Sequence, residues 1–311
     1  MQLPTLSLQK WTHGSPEEQI AFSEELGSAF RSLGFAAIEN HGFGSTDREQ
    51  LYASVQQFFN LDEAAKRAFI LEGAKGQRGF TPFGVEHAKG ETSADLKEFF
   101  QWGPMNAEER GLSGNVNVNS VVEGMDEVVR AAYLKLEAIG NELMKAVALH
   151  IGVNREYFTD PLAGGHSIFR AIHYPAQPEL PEDGIRAAAH EDINLITLLM
   201  GASAEGLEVI SEGKWVPIHV TTDVLVINVG DMLERLTNNQ LPSTIHRVLN
   251  PPPERRHIPR YSMPFFLHLA SDVLIETLPG CIDADHPNLY PSPITANDFL
   301  VQRLIEIGLK T

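Results

Sequence analysis

The sequence predicts an α+β fold with a mainly β core: an antiparallel barrel or double-sheet jelly roll flanked by helices. From about residue 167 onward, short β-rich runs are separated by Gly, Pro, Asn and Asp turns, not by the helices that repeated βαβ units need. The preceding half instead holds segments whose apolar residues recur at helical spacing. The length of 311 residues supplies ample chain for one large β core with helical layers. The expected organisation is a single domain over 1–311, with a mixed α/β region at 1–120 and the jelly-roll core at 165–280.

The elements follow in order. Ser15, Pro16 and Glu18 give a helix start with a capping box, and Phe22, Leu26, Phe30 and Leu33 form its apolar stripe, ending at Gly34. Phe35 to Glu39 reads as a strand, followed by helices near 45–60 and 61–72. Gly73 to Ser93, with five glycines and little periodicity, is the best candidate for a mobile loop over a site, with plain surface the equal alternative. Met125, Val128, Ala132, Leu136, Ile139, Leu143 and Val147 mark a long amphipathic helix that stops at Gly152. The branched, apolar run Ile193 to Met200 reads as a strand covered on both faces. The run STIHRVLNP is a shorter strand closed by prolines at 251–253, and RYSMPFFLHLA, from Arg260, is another.

The chemistry concentrates in these late strands. In an extended strand, residues i and i+2 project from one face, so His190 and Asp192 can reach one metal while Glu191 points away. His246 supplies a third donor from a remote strand. Two imidazoles and one carboxylate on one face of an iron ion leave three adjacent coordination positions free. A single histidine is more often a hydrogen-bonded core or surface residue, and twelve histidines make coincidence easy. Arg260 and Ser262 share a face by the same rule and read as a carboxylate clamp, the bland alternative being a structural arginine paired with an acidic residue. Zinc in the same site would make a hydrolase, which has no need of that clamp. Asp231 and Glu234 follow the strand VLVINVG and are expected to turn the chain, not to bind metal.

Substrate residues follow from alternation alone. Arg170 shares a face with Ile172 and Tyr174 and is a candidate for a substrate carboxylate, or for a structural ion pair. Asn194 falls on the face of His190 and Asp192, and Phe266 on that of Arg260 and Ser262, with a core role the alternative for Phe266. Arg78, Phe80 and Phe83 are candidates from the loop.

A formal charge of −17 opposes binding to a phosphate backbone, so nucleic acid is not an expected partner. No run of about 18 apolar residues suggests a membrane span. The N-terminus lacks a basic start followed by an apolar core, and Cys281 is the only cysteine; both are consistent with a cytoplasmic protein. Composition does not set the oligomeric state.

The chain resembles the isopenicillin N synthase-like family of non-haem Fe(II) oxygenases, most of which use 2-oxoglutarate. The resemblance runs through GFAAIENHGF (34–43), FFNLDEAAK (58–66), KEFFQWG (97–103), IHYP (172–175), HEDINLITLL (190–199), GLEV (206–209), NVGDMLERLTN (228–238), STIHRV (243–248) and RYSMPFF (260–266). It implies a distorted double-stranded β-helix, with His190, Asp192 and His246 as iron ligands. It implies that Arg260, Ser262 and Tyr174 bind the far carboxylate of 2-oxoglutarate. Ile172 stands where many plant members carry Asn. The implied activity is oxidation of a small organic molecule with Fe(II), O2 and 2-oxoglutarate, releasing succinate and CO2. The alternatives are an oxidase like isopenicillin N synthase, which uses no keto acid, and a catalytically silent binding protein.

Overall fold

A computed structural model describes residues 2–306 apart from 75, 88–92, 110–111, 113–116, 178, 181–183, 202, 204, 220 and 222. The N-terminal part runs β1 (Thr5–Ser7), α1 (Leu8–Thr12), α2 (Pro16–Leu33), β2 (Phe35–Glu39), α3 (Ser45–Phe59), α4 (Glu63–Arg67), β3 (Gly79–Thr81) and β4 (Glu98–Trp102). It continues with α5 (Met125–His150), α6 (Thr159–Ala163), β5 (Ile168–Tyr174), β6 (Ala187–His190), β7 (Ile196–Met200), β8 (Leu207–Ser211), β9 (Lys214–Pro217) and β10 (Leu225–Val229). The last elements are α7 (Asp231–Leu236), β11 (His246–Val248), β12 (Arg260–Leu267), β13 (Leu274–Ile275), β14 (Ile294–Thr295) and α8 (Ala296–Glu306).

Eight strands form the major sheet in the order β1-β2-β10-β7-β12-β5-β4-β3, and four form the minor sheet in the order β6-β11-β8-β9. All neighbours are antiparallel except β1 and β2. This is the jelly-roll architecture expected from turn-separated short strands.

Period-two alternation gives the major sheet two different faces. Phe169 and Ala171 of β5, Leu198 and Met200 of β7, and Met263, Phe265 and Leu267 of β12 join the helix-backed core. Their alternates Arg170, Ile172, Thr197, Leu199, Ser262 and Phe266 line a cavity between the sheets. The helix layer sits close on the first face: a Cβ at Gly140 of α5 would lie 3.1 Å from Leu267 Cδ2, and Tyr133 donates to the Ser167 carbonyl at 3.0 Å. Helix α2 crosses α5 equally closely, because a Cβ at Gly27 would enter the His150 ring.

The capping box at Ser15 and Glu18 is present, with Gly34 ending α2 at φ 72°. Two boundaries differ from expectation. The helix expected at 61–72 is one short turn capped by Asp62, after which Ile70 bridges to Gly79. The strand expected from Ile193 begins only at Ile196, for a reason found in the metal centre.

Candidate metal centre and cavity

Strands β6 and β11 are antiparallel neighbours, and their register sets His246 opposite His190. The two rings lie 4.4 Å apart between centroids, and Phe35 meets the His246 ring edge-on at 5.8 Å. Asp192 completes the group: one ligand atom from each of His190, Asp192 and His246 lies within 4.8 Å of the others. His246 Nε2 is 3.8 Å from Asp192 Oδ1.

The opposite atom of each side chain is already engaged. His190 Nδ1 donates to the Ala188 carbonyl at 2.8 Å and His246 Nδ1 to the Thr244 carbonyl at 3.1 Å, which leaves both Nε2 lone pairs facing inward. Asp192 Oδ2 accepts from Thr197 Oγ1 at 2.5 Å and Asn228 Nδ2 at 2.8 Å, so Oδ1 is the oxygen turned toward the histidines. Burial alone would raise the Asp192 pKa, but His246, His190 and these two donors hold it below the usual carboxylate range. Burial, with help from the His246 charge, pushes His190 down to about 4. Metal ligation needs neutral imidazole and ionised carboxylate, and these shifts favour the neutral form of His190 and the charged form of Asp192.

His190 and Asp192 do not share one strand face, contrary to the alternation expected. Strand β6 ends at His190, and the chain turns through 191–195 because this segment caps α7. The amides of Asp231 and Met232 donate to the carbonyls of Asp192 and Asn194 at 2.8 and 3.1 Å, satisfying orphan donors at a helix start. Gly230 permits this approach, since a Cβ there would lie 2.3 Å from the Asn194 carbonyl oxygen. Asn194 consequently does not line the cavity. It is fully buried and donates to Thr197 Oγ1 at 2.9 Å, behind the hydroxyl that holds Asp192. Asp231 opens a helix, pairs with Arg303 at 3.2 Å and lies outside the three-residue group; burial beside Glu191 pushes it up to about 7.

The cavity has a volume of about 370 Å³ and its walls include all three of these donors. Arg260 and Ser262 both line it, with Arg260 in register with Tyr174 and its guanidinium 5.0 Å from the centre of that ring. Arg260 and Tyr174 are each 2% exposed. Arg170 and Phe266 line it further along the same two strands, Phe266 opposite Ile168. At about 3.3 Å per residue, Phe266 lies roughly 20 Å along β12 from Arg260.

The loop residues expected at the cavity are elsewhere. Phe80 is buried against Phe58, Arg78 packs its guanidinium on Gly103, and Phe83 is 42% exposed. Residues 75 and 88–92 of that segment lie outside the described residues. Gln77, Glu86 and His87 line the cavity from it instead, and Leu300, Arg303 and Leu304 line it from α8. Thr197 and Asn228 also went unnoticed in the sequence, although a polar side chain inside each of two apolar strand runs was a usable signal.

The chain has known relatives over its whole length. Residues 165–269 match the 2OG-Fe(II) oxygenase superfamily, and residues 3–121 match the N-terminal region described as non-haem dioxygenase in morphine synthesis. A proline hydroxylase, buaE, of Petromyces alliaceus is 30% identical over 321 residues, covering 98% of this chain and 99% of that relative. A crystal structure of a 2OG-Fe(II) oxygenase family protein from Caulobacter crescentus is 42% identical, with a TM-score of 0.87 over 98% of this chain and 99% of that one. A full-length Neurospora crassa protein, solved in complex with alpha-KG and thymine, is 26% identical with a TM-score of 0.85, over 97% of this chain and 96% of that one. The chain belongs to the 2OG-Fe(II) oxygenase superfamily and is a 2-oxoglutarate- and Fe(II)-dependent dioxygenase.

Proposed function

We propose that His190 Nε2, His246 Nε2 and Asp192 Oδ1 hold the Fe(II), and that Arg260, Ser262 and Tyr174 receive the far carboxylate of 2-oxoglutarate. The observation that carries this is the division of labour within each ligand: one atom points inward while its partner is fixed by a backbone carbonyl, a hydroxyl or an amide. That donor set, with no fourth protein ligand among the described residues, suits Fe(II) with open positions. Bound there, Fe(II) supplies O2 activation and oxidative decarboxylation of the keto acid, giving succinate and CO2.

The protein residues position and neutralise. Arg260 offers a planar fork to a carboxylate, Ser262 adds a hydroxyl from the same strand face, and the Tyr174 ring flanks the guanidinium. Ile172, in register with Ser262, leaves that stretch of wall apolar. Burial of Arg260 in a low-dielectric wall strengthens its pairing with an incoming anion and fixes the cosubstrate's orientation. The substrate is then a small organic molecule in the remaining volume, beside Arg170 and Phe266.

A cavity of about 370 Å³ and a net charge of −17 support a small-molecule reaction without nucleic acid. No helix among the described residues is long and apolar enough to cross a membrane, and the single, buried cysteine is consistent with a cytoplasmic setting. The test is succinate release measured against O2 consumption with Fe(II) and 2-oxoglutarate present. Equal amounts are expected, and O2 consumption without succinate would favour the oxidase that uses no keto acid.

A further inference from the structure

Lysine and arginine side chains of the cavity wall outside the Arg260 clamp are already paired. Lys97 Nζ lies 2.7 Å from Glu86 Oε1 and 2.7 Å from Asp95 Oδ2, Arg170 Nη1 is 3.1 Å from Glu86 Oε1, and Arg303 Nη2 is 3.2 Å from Asp231 Oδ2. Lys97, Arg170 and Arg303 of the cavity lining thus each have a carboxylate beside them, and Glu191 and Glu306 add further negative charge to the lining. A second organic anion, arriving after 2-oxoglutarate, would find no excess positive potential there.

Arg170 nevertheless keeps hydrogen-bonding capacity. Its guanidinium lies 4.2 Å from the Phe99 ring centre and 5.3 Å from that of Phe266, Nε donates to Gln101 Oε1 at 2.7 Å, and Nη1 donates to Glu86. The Nη2 group makes no hydrogen bond among the described residues, and Arg170 lines the cavity. Gln101 is spent, its amide nitrogen being bonded to the Gly76 carbonyl. Ile168, Pro264 and Phe266 add hydrocarbon to this part of the wall, with His268 two residues beyond Phe266.

Resting on the site reading above, we infer that this part of the cavity selects an uncharged substrate bearing a carbonyl, an amide, lactam or imide, whose oxygen accepts from Arg170 Nη2 while its hydrocarbon part packs on Phe266 and Ile168. Glu86 is then a specificity residue, because its carboxylate removes the net charge that would make Arg170 a carboxylate receptor. Backbone bonds between Asp95 and Glu86 and between Gly84 and Lys97 hold it in place. Specificity of this kind arises as much from what the wall rejects as from what it binds.

The experiment is anaerobic equilibrium binding of benzamide, benzoate and benzylamine to the protein loaded with Fe(II) and 2-oxoglutarate. Benzamide is expected to bind at least about tenfold more tightly than either charged probe, the scale of one charge-dependent hydrogen bond. Benzoate or benzylamine binding as tightly as benzamide, or no binding of benzamide, overturns the inference. In Glu86→Gln the preference should move toward benzoate by about tenfold, and an unchanged preference contradicts the role of Glu86. Arg170→Leu should weaken benzamide about tenfold with 2-oxoglutarate binding intact. Binding of 2-oxoglutarate, read in the same samples, separates the two levels: its loss in the wild type sinks the site reading and this inference together, whereas its presence with the wrong probe preference sinks this inference alone.

Discussion

The metal corner and the substrate wall are built in opposite ways. The corner draws on β6, β11 and the turn after β6, and each candidate ligand is fixed by a partner at most two residues away or by a neighbouring strand of the core: Ala188, Thr244, Thr197 and Asn228. The wall gathers Glu86 from a loop, Lys97 and Gln101 from around β4, Arg170 from β5, Phe266 from β12 and Arg303 from α8. Local fixation suits geometry that must not vary with substrate. Assembly from distant segments lets specificity change by altering one segment without disturbing the corner.

The sharpest way to break that contrast is to remove a proposed ligand. His190→Ala or Asp192→Ala should abolish both Fe(II) binding by equilibrium dialysis and succinate formation, while the fold survives by circular dichroism. Arg260→Ala should retain iron but weaken 2-oxoglutarate about a hundredfold, as expected from losing two charge-assisted hydrogen bonds in a buried wall. Asn228→Ala, one step behind the ligand, should lower Fe(II) affinity by about 10–100-fold with 2-oxoglutarate affinity on the loaded protein little changed.

A fourth test concerns His268, which lines the cavity and is pushed down to about 4, chiefly by burial and then by His166 and Arg78, with Asp192 acting against them. A histidine depressed in the folded state is charged more readily when unfolded. Its contribution is therefore complete above about pH 6.5 and is lost as pH falls toward 4, by up to about 3 kcal/mol at 1.4 kcal/mol per pH unit. Urea unfolding of His268→Gln should show a flatter pH dependence across that window. The smallest effect is expected at Phe83→Ala: the side chain is exposed and away from the cavity, so turnover should stay within about twofold.

Legibility in the sequence follows the same division. The helices α2 and α5 are readable because a capping box, glycine stops and a regular apolar stripe act within one turn. His190, Asp192 and His246 are visible as residue types, and Arg260, Ser262, Tyr174, Arg170 and Phe266 as faces of regular strands. Asn194 is misplaced by alternation, which holds only while the chain stays extended, and the capping of α7 bends residues 191–195. Phe80 and Phe83 cannot be placed from composition, since a glycine-rich loop carries no period; a β-bridge between Ile70 and Gly79 decides which residues turn inward. Glu86, Lys97 and Asp95 are unreadable for a further reason: their meaning lies in mutual pairing that charge counts along the chain do not express.

Iron K-edge X-ray absorption on the anaerobic, Fe(II)-loaded protein, wild type beside His246→Ala, addresses the convergence of the three donors most directly. One Fe(II) per chain with two imidazole ligands is expected in the wild type, falling to loss of iron or a single imidazole in the variant. An unchanged spectrum and iron content in His246→Ala would contradict the assignment.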